Sequence, residues 1–271
     1  MKSQSNRITT LLCCALALCT TILTAQEVQL VYKFKVGDLN RYKETTHNDM
    51  TSEMMPGGGQ KVFNETYTTQ KVDKVNADGS AEIIQTIDSA TTTLNGQPFS
   101  NPQTAALVGL RVRISVATTG KVLDARPLSD TVDAATKQSV GILRQQLMTQ
   151  ASYPVGPVRM NEPWRDSSAF SQPTQMGTIT STIKYTTKLT GSDKVLSTDV
   201  KVLERTMDMV GELGEGTGSL KGSGKGNIYF SETLGKEIMS TMAMTQSMDM
   251  VTPQGPFSMS MKISTQRELL K

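Results

Sequence analysis

The sequence is poor in cysteine and histidine, and this scarcity excludes several kinds of site. All three cysteines lie within the first 25 residues, so the rest of the chain can form neither a disulfide bond nor a cysteine-ligated metal site. His47 is the single histidine, which leaves a histidine-based triad without an alternative base. Its polar surroundings favour a solvent-exposed or hydrogen-bonded side chain. We therefore predict no catalytic residue, no metal site and no cofactor, and a protein that is not an enzyme.

The glycine-rich stretch Gly211–Gly226 lacks the spacing of the common phosphate-binding motifs. A P-loop needs a lysine followed by serine or threonine, whereas Gly226 follows Lys225. In the dinucleotide motif, counted from Gly216, a lysine stands where the third glycine is required. We interpret the stretch as a flexible crossing or a lightly packed pair of strands.

Long apolar runs are scarce, and the first 25 residues have the pattern of a secretory signal peptide. Lys2 and Arg7 precede an uncharged stretch that ends at Ala25, and we predict cleavage near this small residue. The strongly apolar part is about 8–12 residues, short of the roughly 20 that span a bilayer. We therefore expect an exported protein, periplasmic or secreted, without a transmembrane helix in the mature chain.

The charge balance does not favour a nucleic-acid partner. The chain has 28 basic and 25 acidic residues, and loss of Lys2 and Arg7 leaves an excess of one positive charge. The basic residues are scattered and form no polybasic cluster. We expect no nucleic acid as partner, whereas an apolar small molecule stays open.

Alternation of apolar and polar residues predicts an all-β, mainly antiparallel fold. Val112–Leu123 alternates and then turns, which is typical of a half-buried hairpin, and Gly120 permits the positive φ that such a turn needs. Tyr229–Ile238 repeats this outline, with Gly-Lys after the turn in both. Val28–Val36 also alternates and is predicted to be a strand.

The two hairpins indicate a duplicated chain. Tyr-Thr-Thr begins at 67 and again at 185, and Gly-Lys begins at 120 and again at 235. The alternative is chance likeness, since strands and turns draw on few residue types. We predict a first β half-chain at 26–128, a linking helix at 129–153 and a second β half-chain at 154–271. Together they would form a curved sheet, a half-barrel or a barrel-like sheet.

The linking helix is predicted from the spacing of apolar residues between Pro127 and Pro154. These residues recur every three to five positions, which favours an amphipathic helix of roughly 16–20 residues. They are Val132, Ala135, Val140, Leu143 and Leu147. Asp130 or Thr131 would cap its first turn.

Methionine is the one residue type above the ordinary level, with 16 in the chain. Four Met-x-Met pairs occur, and residues two apart share one face of a strand. Three interpretations stay open: core packing, a pliable wall for an apolar ligand, and soft-metal binding. The ligand interpretation selects Met207, Met209, Met242, Met244, Met248 and Met250.

Several segments together resemble one protein family. They are the Lys35–Asp38 start, the Asp78–Gly79 hairpin, the Ala105–Gly109 lead into Thr119–Leu123, and the Asn161–Trp164 restart. By these the chain resembles, over most of its mature length, an exported bacterial β-rich family of unknown function. At the level of the fold it also resembles the half-barrel of periplasmic lipoprotein carriers. The resemblance carries no catalytic motif.

These observations favour an exported, non-enzymatic protein of the cell envelope. We expect it to hold an apolar or lipid-like ligand between sheet and helix. The alternatives are a methionine-based Cu(I) or Ag(I) binding protein, and a structural or partner-binding envelope protein.

Overall fold

The computed structural model describes residues 27–52, 57, 59–100, 105–129, 134–174, 177–214, 218–252 and 255–270. The predicted signal peptide and the predicted capping residues Asp130 and Thr131 lie outside the described residues, as does Val132.

Twelve named strands and one named helix lie within these described residues. The strands before the helix are β1 (Leu39–Ser52), β2 (Gly59–Val75), β3 (Ala81–Leu94), β4 (Gln97–Pro98), β5 (Arg111–Val116) and β6 (Val122–Pro127). Helix α1 is Ala134–Met148. The strands after it are β7 (Pro163–Thr174), β8 (Gly177–Val195), β9 (Thr198–Leu213), β10 (Gly218–Ser231), β11 (Lys236–Thr252) and β12 (Gly255–Leu270).

The strands form one antiparallel sheet, which confirms the predicted all-β fold. Its order is β6-β5-β3-β2-β1-β12-β11-β10-β9-β8-β7, with β4 beside β3. The first strand therefore pairs with the last, and Thr46 lies opposite Thr265. Within the described residues β6 and β7 do not pair with each other, so the curved sheet is not closed.

Helix α1 lies within the predicted linking segment and covers one face of the sheet. Val140 is buried, and Leu143 and Leu147 pack on the core cluster formed by β2, β3, β5 and β6. The sheet must cover its apolar face, and the apolar stripe of the helix does this on the β5–β6 side. We call this face the inner face.

The two predicted hairpins share backbone details. Gly120 and Gly235, in the two turns, both have positive φ, at 79° and 59°. A β-bulge follows each turn, and the extra residue is Leu123 in one and Ile238 in the other, since both drop out of the pairing register. The duplication stays a prediction, and these matched positions support it.

Residues 27–36 do not form the predicted strand. Val28 makes one bridge with Val158. Further along, the N–H of Tyr32 donates to the carbonyl of Thr118, and that of Lys33 donates to the carbonyl of Gly235. The alternation in the sequence therefore has a different cause. This N-terminal segment crosses the turns of both hairpins, and Val28 and Leu30 are buried in a core cluster with residues of β8, β9 and β10.

Candidate functional site

A cavity of about 430 Å³ lies between the inner face of the sheet, helix α1 and the N-terminal segment. Its floor comes from β1, β2, β3, β5, β6, β11 and β12. Leu143, Gln146, Leu147 and Gln150 contribute from the helix and the residues that follow it, and Tyr32 and Phe34 from the N-terminal segment.

The sheet order gives this cavity an apolar side and a polar side. The apolar side is built on β2, β3, β5 and β6 by Val72, Ile83, Ile114, Val116 and Val122, all of which belong to one core cluster. The polar side is built on β1, β11 and β12, by Glu44, Lys236, Glu237 and Arg267. Between them lie Gln70 and Gln85, whose side chains share a hydrogen bond of 2.8 Å. The cavity is therefore amphipathic across the sheet.

Stacked aromatic rings hold the N-terminal segment in place. The Tyr32 ring lies 5.8 Å from Phe34 and 5.9 Å from Tyr153, and its edge meets Phe230 at 5.6 Å. Aromatic pairs at such distances add to the free energy of burial. Gly120 is required here, because a Cβ at this turn would meet the Tyr32 ring. One wall of the cavity is thus fixed by rings from distant parts of the chain.

A carboxylate ties two of these phenols together. Glu237 accepts hydrogen bonds from the Tyr32 hydroxyl at 3.0 Å and from the Tyr153 hydroxyl at 2.6 Å. Burial raises the pKa of both phenols well above the ordinary value, and the nearby Glu237 charge raises the pKa further. Both hydroxyls therefore stay protonated and donate to the carboxylate.

This arrangement predicts a loss of stability at alkaline pH. A phenol whose pKa is higher in the folded protein stabilises it fully below the ordinary phenol pKa of about 10, and this contribution is lost as pH rises through the folded-state pKa. We expect phenolate absorbance to show fewer tyrosines ionising near pH 10 in the native protein than in the urea-unfolded protein. Identical titration curves for the native and the urea-unfolded protein would contradict the burial of Tyr32 and Tyr153 beside Glu237.

The six methionines selected from the sequence lie on the inner face of neighbouring strands. Met207 and Met209 are on β9, and the others are on β11, opposite alternate residues of β10. Met207 and Met209 are buried in one cluster, against which Met242, Met244 and Met248 pack, and Met250 is buried as well. None of the six is among the residues that line the amphipathic cavity. Their role as a ligand wall, or as soft-metal ligands, stays a prediction.

The glycine-rich stretch makes room for these methionines. Gly222 and Gly224 of β10 lie opposite Met209 and Met207, and a Cβ at either glycine would come within 3.1 Å of the methionine side chain. The described part of the stretch thus belongs to a pair of strands, as one of the two interpretations had it, but these strands are closely and not lightly packed. Residues 215–217, where a flexible crossing was the other interpretation, lie outside the described residues.

The polar residues of the cavity were not found from the sequence. Glu237 and Arg267 belong to ordinary alternating strands, and nothing in their spacing marks them. His47, the single histidine, is exposed on the other face, with its ring 4.7 Å from that of Phe63. Trp164 packs against the core cluster that joins the N-terminal segment to β8, β9 and β10.

Comparison with known proteins gives likenesses of shape only. The chain matches no protein-family model and no curated protein. Lipovitellin, described with its lipid–protein interactions, is 11% identical over 88% of this chain with a TM-score of 0.48, and the chain spans 26% of its length. A candidate exported protein with a YmcC-like fold from Bacteroides fragilis is 9% identical, over 89% of this chain and 98% of the other, with a TM-score of 0.28. DynF, from the dynemicin biosynthesis pathway of Micromonospora chersina, is 7% identical over 90% of this chain and 85% of its own, with a TM-score of 0.24.

At these TM-scores the likenesses carry no conclusion about function. The resemblance to an exported bacterial family therefore stays an expectation from the sequence. In the part of the chain that the structure describes, no helix has both the length and the apolar character needed to cross a membrane.

Proposed function

We propose that this is an exported, non-enzymatic binding protein that holds a lipid-like ligand in the amphipathic cavity. The observation that carries the proposal is the cavity itself, about 430 Å³, with isoleucine, valine and leucine side chains along one side. Small-molecule sites have volumes of roughly 300–1,000 Å³, and a few placed polar groups orient a ligand among apolar walls. The ligand predicted from the sequence was expected between sheet and helix, and this cavity has that position.

The two sides of the cavity indicate which ligand it fits. An apolar chain gains roughly 25 cal/mol for each Å² of its surface removed from water. Such a chain would lie along Ile83, Ile114 and Val122, beneath Leu143 and Leu147 of the helix. A polar group at one end would meet the residues of β1, β11 and β12 and avoid the cost of burial without hydrogen bonds.

Filling the cavity from the helix tests the proposal. Leu147 lines the cavity, whereas its neighbour Met148 is 39% exposed and does not. We expect Leu147→Trp to weaken binding of the neutral dye Nile red by about tenfold or more, because an indole occupies the space of the ligand. Met148→Trp adds the same side chain outside the cavity and should bind as the parent protein does.

Native mass spectrometry of the protein recovered from its host gives a second measurement. A copurifying mass that Leu147→Trp removes and Met148→Trp keeps would support the proposal. Equal dye binding by all three proteins, with no copurifying mass in any of them, would overturn it.

A further inference from the structure

Arg267 is a cation in the cavity, and among the described residues no carboxylate contacts it. It lines the polar side, and its guanidinium carbon lies 4.1 Å from the centroid of the Tyr42 ring. In the described part of the chain no carboxylate oxygen comes within 4.0 Å of it, and its side chain makes no hydrogen bond. A guanidinium has five donors in a fixed fork, so this one has unused capacity for a partner.

The two lysines that line the cavity, and Glu237, already have hydrogen-bond partners. The ammonium of Lys236 donates to the side-chain oxygen of Asn40 at 2.7 Å, and that of Lys33 donates to the carbonyl of Glu232 at 2.7 Å. Glu237 accepts from two tyrosines, as described above. Asp38 lines the cavity too, and exposed Glu44 lies directly opposite Arg267 in the β1–β12 register.

We propose that Arg267 binds the anionic headgroup, a carboxylate or a phosphate, of a single-chain amphiphile whose tail lies on the apolar side. This rests on the proposed function and names its ligand class. Arginine binds both groups through two parallel hydrogen bonds, and such charge-assisted bonds are about twice as strong as neutral ones. The cation–π contact with the Tyr42 ring holds the guanidinium in place and so limits the entropy lost when the headgroup binds.

Two carboxylates act on Arg267 over a longer distance, Glu237 more strongly than Glu44, and Glu237 is already held by two tyrosines. Glu44 therefore adjusts the selectivity at this end of the cavity. Its carboxylate shares the inner face with Arg267 and repels a second anion. Without the ligand it also offers the arginine a weak, more distant counter-charge. Removal of this charge should therefore strengthen the binding of anionic amphiphiles, an effect opposite to the removal of Arg267.

Amphiphiles that share one tail separate the headgroup from the chain. Dodecanoate, dodecyl phosphate, dodecanol and dodecylammonium would each be titrated below their micelle concentrations against bound Nile red. We expect one or both anions to bind about 10- to 100-fold more tightly than dodecanol, as hydrogen bonds to charged groups allow, and dodecylammonium to bind more weakly than dodecanol. Tighter dodecanoate would indicate a fatty-acid-type ligand, and tighter dodecyl phosphate a single-chain ligand with a phosphate headgroup.

The matched variants are Arg267→Met and Lys262→Met. Both remove one positive charge from β12, but Lys262 is exposed on the other face. Arg267→Met should abolish the preference for anions and leave dodecanol binding unchanged, whereas Lys262→Met should leave all four affinities unchanged. Glu44→Gln should increase the affinity for the anions. Because a variant that binds more tightly must be folded, this result tests the headgroup site even if Arg267→Met is unstable.

The two proposals fail in different ways. If no dodecyl compound displaces the dye, the lipid-binding function is wrong and this inference is wrong with it. If dodecanol and the anions bind equally, or if Arg267→Met keeps the preference for anions, the headgroup assignment is wrong and the binding function stands.

Discussion

Phe230→Ala is expected to lower the free energy of unfolding by about 3–5 kcal/mol, the range for deletion of a buried phenylalanine. Phe230 is fully buried, and its ring meets the edges or faces of Tyr32 and Tyr153. Alanine would leave a void on a rigid sheet, where neighbouring strands cannot move in to fill it. Because Tyr32 holds the N-terminal segment, the same change should also weaken ligand binding.

Urea unfolding, followed by tryptophan fluorescence of Trp164, measures this effect. Phe99→Ala is the matched control, because Phe99 is 48% exposed. Phe99→Ala should lower the free energy of unfolding by no more than about 0.5 kcal/mol, as is usual for surface substitutions. A loss below about 1.5 kcal/mol for Phe230→Ala would contradict the role of the ring stack.

Gly226→Ala is expected to be nearly as damaging, although it adds a single methyl group. A Cβ at this position on β10 would overlap the backbone carbonyl oxygen of Thr241 and come 2.8 Å from the Cα of Met242. Both atoms belong to the backbone of β11, so the strands must separate locally. Insertion of one group into packed structure costs about 1–3 kcal/mol, and lost ladder hydrogen bonds add to that.

Gly222→Ala is the control on the same strand and the same face. The nearest atom to its added Cβ would be the terminal methyl of Met209, at 3.1 Å, which can rotate away. The nearest backbone atom, the carbonyl oxygen of Thr245, would lie at 3.3 Å, so it needs to move by only a few tenths of an ångström. Alanine also restricts the unfolded chain more than glycine, a gain of about 0.4–1 kcal/mol where the backbone tolerates it. Thermal unfolding should therefore place Gly222→Ala at or near the parent protein and Gly226→Ala well below it. Similar thermal unfolding midpoints for Gly222→Ala and Gly226→Ala would refute the close approach of the β11 backbone to Gly226.

The strands were predictable because they depend on a local rule. Alternating burial marks Val112, Ile114 and Val116, and glycine marks the turns at 120 and 235, so both hairpins could be placed from neighbouring residues alone. The same rule failed for residues 27–36, where the alternation is real but the backbone partners are Val158 and two turns rather than a strand. Alternation reports which side chains are buried and does not report what covers them.

The candidate site was not predictable, because it depends on sheet order. Arg267, Glu44 and Tyr42 meet only because β12 pairs with β1, and no feature of either strand specifies that pairing. The methionines drew attention by composition, and they form a core cluster outside the cavity. From the sequence alone, an arginine in an alternating strand is predicted to be a surface charge. Its place in the cavity becomes visible only when the neighbouring strand and the residue paired with it are known.

The pairing of β1 with β12, which we call the seam, also constrains the order in which the protein folds. Thr46 and Thr265, whose hydroxyls lie 3.3 Å apart across it, are 219 positions apart in the chain. Closing so long a loop has an entropic cost before any contact compensates for it, and folds dominated by remote pairings fold slowly. Arg267 on β12 cannot face Glu44 on β1 until this seam has formed, so a nascent chain acquires its headgroup site only after β12 has been synthesised.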